Sequence, residues 1–332
     1  MTRSLITSDV SLDAQGKQAG FLRVPHSTDR SAYGWIGVPI TVIAHGIGPT
    51  LVLSAAVHGD EYEGQIAVSE LARELAPEDI RGRLILLPMM NPPAALAGRR
   101  VSPVDGGNLN RLYPGDPHGT PSQMIAHYHE EVILPRASHA VDLHAGGASL
   151  LYPATLLRGP SHSADEEAGL ALLTEAFDLP VAWVFTSGGG RHSTARTAMG
   201  AANRKGVINV MAELGGGAAV QRDTLNWTRR GLRRVLAALG MLPGYTPDAT
   251  RGTRALHVRG SIYAVAAGVF EPCKALLDPV HEGERIGYVH DPSTPGAAPV
   301  PMISPHDGVV LALRALGRTE RGDALFQIAA DV

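Results

Sequence analysis

The stretch Leu51-Val-Leu-Ser-Ala-Ala-Val57, running directly into His58-Gly59-Asp60-Glu61 and then into Glu63–Leu75 at helical spacing, reads as strand, turn and helix. The same alternation continues outward from it. Strands are predicted at Arg83–Met89, His139–His144, Val181–Thr186 and Val207–Glu213, and helices at Pro121–Arg136, Ala164–Phe177, Thr194–Arg204 and Ala219–Leu239. Ser163 with Glu166 forms a capping box for the Ala164 helix, and Gly240 stops the last one. The pattern implies an α/β fold, a mixed sheet flanked by helices, with functional side chains where strands end.

Three strings meet that placement: His58-Gly59-Asp60-Glu61, Asp142-Leu143-His144 and Glu213-Leu214-Gly215. Two imidazoles and a carboxylate leave a fourth tetrahedral position for water, the arrangement of hydrolytic zinc, and one Zn2+ per chain is expected on His58, Glu61 and His144. Glu213 is then the proton carrier. A His three residues before a Glu is weak evidence alone: this chain has three such pairs, where chance supplies roughly 0.6. His127/Glu130 falls within a predicted helix and reads as a polar pair, and His281/Glu284 reads as an exposed turn. His58/Glu61 differs by its strand-end position, its flanking Gly59 and Gly64, and a second histidine on another strand end. Asp142, two residues before His144, projects to the same face of its strand and can steady the imidazole.

From Asn91 to Gly119 the chain is rich in Pro, Gly and Asn and lacks periodicity; a loop of that length within a domain is usually functional. After Tyr245 short apolar strands alternate with Gly, Pro and Asp. The chain therefore divides into an α/β unit at 1–245, including N-terminal strands within 1–45, and a smaller all-β domain at 246–332. Ser304-Pro305-His306-Asp307-Gly308 and Arg321-Gly322-Asp323 look like the hairpins of biotinyl carrier domains, but Lys274, the only lysine after residue 205, is not at such a tip. A swinging-arm carrier is not expected.

The 332 residues are 44% hydrophobic and 18% charged, with a formal net charge of -3 and no basic run, so neither nucleic acid nor an anionic membrane is an expected partner. Cys273 is the sole cysteine, which excludes an internal disulfide and a thiolate zinc site. No stretch reaches the roughly 18 apolar residues of a membrane span, and Met1–Gly20 has no signal-like apolar core. The expectation is a cytoplasmic protein; a homo-oligomer is left open.

Together the His58 and Asp142 strings, the segment Asn91-Pro92 through Arg100 to Asn110-Arg111, and Glu213-Leu214-Gly215 resemble the succinylglutamate desuccinylase/aspartoacylase family, relatives of the zinc carboxypeptidases. Asp142-Leu-His-Ala-Gly-Gly147 and Ser102-Pro-Val-Asp-Gly-Gly-Asn-Leu-Asn-Arg111 are most similar to its N-α-acetyl-L-2,4-diaminobutyrate deacetylase branch. The resemblance implies zinc on His58, Glu61 and His144, with Glu213 as general base and then acid. It also implies Asn110 and Arg111 on the substrate carboxylate, and Arg100, next to Arg99, on the scissile carbonyl. The activity implied is hydrolysis of the amide of a small-molecule N-acyl amino acid. A zinc carboxypeptidase acting on short peptides uses the same parts and stays open as the alternative. A regulatory module would lack one of the four catalytic residues, and no Gly-x-Ser-x-Gly elbow suggests a serine hydrolase. Gly188-Gly189-Gly190-Arg191-His192, in the loop 187–193, reads equally as a lid carrying Arg191 and as an exposed turn.

Overall fold

A computed structural model describes residues 4–185 and 193–332. The loop expectation at 187–192, including Arg191, and the last predicted strand residue Thr186 lie outside the described residues.

The five predicted strands are present at Thr50–Ala55, Gly82–Leu87, His139–His144, Val181–Val184 and Ile208–Glu213. They belong to one large mixed sheet. Its centre is parallel: Thr50–Ala55 pairs with Gly82–Leu87 on one side and His139–His144 on the other, and His139–His144 pairs with Ile208–Glu213. These strands are buried on both faces, which explains their nearly continuous apolar sequences. Helices Glu63–Glu74, Ala164–Phe177 and Arg222–Ala238 cover one face through Val68, Leu71, Leu173, Phe177, Leu232 and Val235. Pro121–Tyr128 and Ala198–Arg204 cover the other through Met124, Ile125, Ala201 and Ala202.

Several boundaries differ from expectation. The predicted helix Pro121–Arg136 is α-helical only to Tyr128, then widens to a π turn over His129–Ile133 and tightens to 3-10 at Leu134–Arg136. The residue that forces the stop is Pro135, which cannot donate to the ladder. The predicted Thr194–Arg204 helix begins at Ala198, capped by the Thr197 hydroxyl on Gly200 N–H. Ser163 caps Glu166 N–H as expected, but the Glu166 carboxylate reaches back to His162 N–H, one residue beyond the capping-box position. A strand absent from the expectation, Thr155–Arg158, runs antiparallel to Ile208–Glu213 and parallel to Val181–Val184.

The N-terminal strands Gly16–Pro25 and Trp35–His45 form a hairpin that extends the sheet beside Gly82–Leu87. After Tyr245 the regular structure is all strand. This region is not separated from the rest by a break in hydrogen bonding. Arg254–Leu256 pairs in parallel with Val181–Trp183, and Ala324–Asp331 then lies between Arg254–Tyr263 and Gly308–Arg314. A second sheet of four strands, including Gly268–Pro272 and Arg285–His290, packs Phe270, Ile286 and Val289 against Phe326 and Ile328.

Candidate active site

Three adjacent strands deliver the site. The register pairs Ser54 with Asp142, and His144 with Glu213, so the end of each strand projects into one space. His58 and Glu61 follow the first strand after a left-handed turn at Ala56, whose φ is +53°. Neither flanking glycine, Gly59 or Gly64, has a positive φ. Gly59 is required by close packing: a Cβ there would lie 2.0 Å from the Ala94 carbonyl carbon. Gly64 similarly lets the following helix sit against Leu143 and Ala55.

His58 Nδ1 and His144 Nδ1 each lie 2.8 Å from a different oxygen of Glu61, and all three residues are buried. Their ligand atoms fall within 4.8 Å of one another. His144 Nε2 is 2.8 Å from the Asp142 carboxylate, which accepts another hydrogen bond, at 2.7 Å, from the Ser54 hydroxyl. His58 Nε2 is 3.1 Å from Asn108 Oδ1. When both imidazoles are neutral, with Nε2–H donating outward to these acceptors, both Nδ1 lone pairs face the Glu61 carboxylate. Three electron-pair donors then converge with nothing between them to share, a donor set that suits a cation such as zinc. Burial pushes the Glu61 carboxyl up, but the two imidazoles together pull it well below the ordinary carboxylate range. Burial also opposes charge on His144, yet Asp142 and Glu61 raise its pKa well above the usual histidine value.

Glu213 is half-buried, but its Oε2 is shielded from solvent and has no partner among the described residues. Burial, reinforced by the charge of Glu61, pushes its pKa up to about 8, with His144 and Arg100 opposing. Beyond Glu213, Gly215, Gly216 and Gly217 all have positive φ, and a Cβ on Gly216 would meet the Leu150 carbonyl at 2.1 Å. That turn brings the Glu213 strand end against Gly146, whose N–H donates to Gly215 O at 3.1 Å.

The long segment 91–119 is ordered. Asn91 caps the short helix Pro92–Leu96, and Asp105 accepts from Gly107 N–H and from both the N–H and hydroxyl of Ser122. Gly59 N–H donates to Arg99 O, so the backbone of Arg99 is tied down while Arg100 reaches the site, its Nη1 3.6 Å from Glu61. Asn110 Oδ1 accepts from Ala198 N–H, at the start of the helix Ala198–Arg204, and Arg111 Nη1 donates to Asn110 O. Burial, then Arg100 and Arg196, lower the pKa of Arg111; no carboxylate pairs with Arg111 or Arg196 among the described residues. His58, Glu61, His144, Glu213, Arg100, Asn110 and Arg111 all line one cavity of about 430 Å³.

Of the other His-x-x-Glu pairs, the His281/Glu284 turn is as expected, but His127 and Glu130 do not pair: His127 Nδ1 is buried with no partner among the described residues. Glu130 is paired with Arg204, and Glu284 accepts from His281 N–H in a turn. Lys274 pairs with Glu284 at 2.6 Å. Sequence reasoning missed Asn108 and Ser54, which hold His58 and Asp142, and Asp60, which accepts from Ala148 N–H at 2.7 Å and anchors the loop after His144. Asn108 stood in the quoted Gly-Gly-Asn-Leu-Asn string, but only its distance to His58 reveals what it does.

The catalytic domain described as succinylglutamate desuccinylase/aspartoacylase matches residues 47–239. The chain belongs to that family. Its relatives include an N-alpha-acetyl-L-2,4-diaminobutyric acid deacetylase from Halomonas elongata, 37% identical over 98% of this chain and 95% of the relative. Among solved structures, a succinylglutamate desuccinylase/aspartoacylase from Rhodobacter sphaeroides is 38% identical with a TM-score of 0.92, covering 99% of this chain and all of that one. The product-bound ectoine utilization protein EutE (DoeB) from Ruegeria pomeroyi is 34% identical at the same TM-score, also covering 99% of this chain and all of its own.

Proposed function

We propose that this family member is a zinc-dependent deacylase that hydrolyses the amide of an N-acyl amino acid, of the N-acetyl-2,4-diaminobutyrate type. The observation that carries the reading is the register of His144 with Glu213, which puts a buried, unpartnered carboxylate oxygen beside the His58/Glu61/His144 donor set in one cavity. The name of the Halomonas relative supports the substrate class.

His58, Glu61 and His144 would hold zinc, which would supply the Lewis acidity that acidifies water and polarises a carbonyl. Glu213, with a pKa near neutrality, takes the proton from the attacking water and returns it to the departing amine. The charge of Glu61 is one cause of the raised Glu213 pKa, so a cation bound at the donor set would favour the basic form of Glu213. Arg100 donates to the carbonyl oxygen as negative charge develops. Arg111, free of a carboxylate partner among the described residues, binds the substrate carboxylate beside Asn110 and fixes the amide in place.

The test is a panel assayed with zinc-loaded enzyme: N-acetyl-2,4-diaminobutyrate and other N-acyl amino acids, followed by release of the carboxylic acid, against short dipeptides. The expected result is kcat/KM for the best acyl amino acid about 100-fold or more above that for any dipeptide, a gap of roughly 2.7 kcal/mol. Preferential cleavage of dipeptides would make the protein a carboxypeptidase instead.

A further inference from the structure

The catalytic residues leave one end of the cavity unexplained. It is largely apolar, lined by Leu157, Trp183, Phe185, Met199 and Met211 with Tyr152, and the Gln327 amide enters it from the strand Ala324–Asp331. Gln327 is 8% exposed, and its Oε1 finds no donor among the described residues. Ala329, two residues further on the same strand, packs with Leu157, Trp183 and Met211, so the amide stands beside an apolar cluster. Burying such a group without a hydrogen bond is costly, so an unpaired amide oxygen aimed into a cavity calls for a partner supplied from within that cavity. The terminal torsion of glutamine is soft, so either end of the amide can turn into the cavity. Trp183 and Phe185, with ring centroids 4.7 Å apart, form an aromatic wall of the same space.

An amide acceptor and two aromatic faces, with no carboxylate among them, suit a primary ammonium: the oxygen takes a charged N–H and the rings take the cation's field. We propose that Gln327, with the wall of Trp183 and Phe185, receives the side-chain ammonium of the acyl amino acid and sets the preference for amine-bearing substrates. This inference rests on the deacylase reading and extends it to the side chain. Gln327 is a specificity residue contributed by the C-terminal strands, remote in sequence from every group that carries the chemistry.

The experiment compares N-acetyl-2,4-diaminobutyrate with N-acetyl-2-aminobutyrate, which lacks only the amine, in wild-type enzyme, Gln327→Leu and Gln327→Glu, with zinc content and thermal midpoint measured for each. In wild type the amine-bearing substrate is preferred. In Gln327→Leu its kcat/KM falls by about 10- to 100-fold while that for the amine-free substrate is unchanged. Gln327→Glu keeps or raises the preference. The amine-free substrate controls for folding within each variant, so a general loss of activity leaves the ratio readable from whatever activity remains. An unchanged ratio in Gln327→Leu, in enzyme that deacylates both compounds, overturns the inference alone. A wild type that deacylates no acyl amino acid overturns the functional reading and this inference with it.

Discussion

Glu213 is the residue on which the chemistry turns, and two consequences separate its role from a structural one. Glu213→Gln keeps the shape and leaves the donor set intact, so zinc content should stay at one per chain while kcat drops by about 10²- to 10⁴-fold; retained turnover would sink the assignment. The second concerns metal-free protein. The Glu213 carboxyl titrates near its ordinary 4.5 when unfolded and near about 8 when folded, so the folded state holds the extra proton between those values. Stability contributed by this group is therefore present below about pH 4.5 and is lost as pH rises toward about 8. Denaturant midpoints of the metal-free protein across that window should decline more steeply in wild type than in Glu213→Gln. The difference between the two proteins isolates Glu213 from His58, Glu61 and His144, which titrate in both.

At the scale of elements, the site depends on how tightly two segments lie together. The backbone of Ala94–Ala95 rests on Gly59, and Arg99 O receives Gly59 N–H, so the turn that carries His58 also positions Arg100. Gly59→Ala should push these segments apart and lower kcat/KM by about 100-fold, with a loss of stability of roughly 1–3 kcal/mol by overpacking. Paired kinetics and thermal melts would test it, and an unaffected variant would show that the segment gives way freely. A second joint lies at Asp178, which ends the Ala164–Phe177 helix at φ +54° and accepts from Arg251 N–H, Gly252 N–H and Arg230. Burial opposes its charge, but these donors hold the carboxyl below its usual value, so its contribution persists above about pH 4 and disappears as pH falls further. Asp178→Asn should cost about 1.5–3 kcal/mol at pH 7. What was readable in the sequence follows from the same physics. Strand ends at His58, His144 and Glu213 are marked by apolar runs meeting polar residues. The strand Thr155–Arg158 is too short for a period to show, and the outward partners Asn108 and Ser54 come from sequence positions 50 and 88 residues from the groups they hold.

For the whole molecule, the decisive fact is that the sheet does not stop where the sequence changes character. The expected unit boundary near Tyr245 is crossed by the ladder from Val181–Trp183 to Arg254–Leu256, and Leu256, Leu311 and Ala329 share a cluster with Leu157 and Trp183. A chain ended after Tyr245 would expose both a strand edge and that cluster. It should be largely insoluble or aggregated on expression, as measured by soluble fraction and size exclusion. A monomeric, zinc-binding 1–245 fragment would instead establish the boundary as one between independent units.

The last strand, Ala324–Asp331, lies inside the sheet with a partner on each side. A growing polypeptide therefore completes its order of assembly in two stages. The four groups of the reaction centre are all made by Glu213, and the 114 residues from there to Gln327 take about 6 to 23 s to add at roughly 5–20 residues per second. During that interval the residues of the reaction centre exist as chain before the strand Ala324–Asp331 has been made, so the sheet that carries them stays incomplete until translation is nearly over.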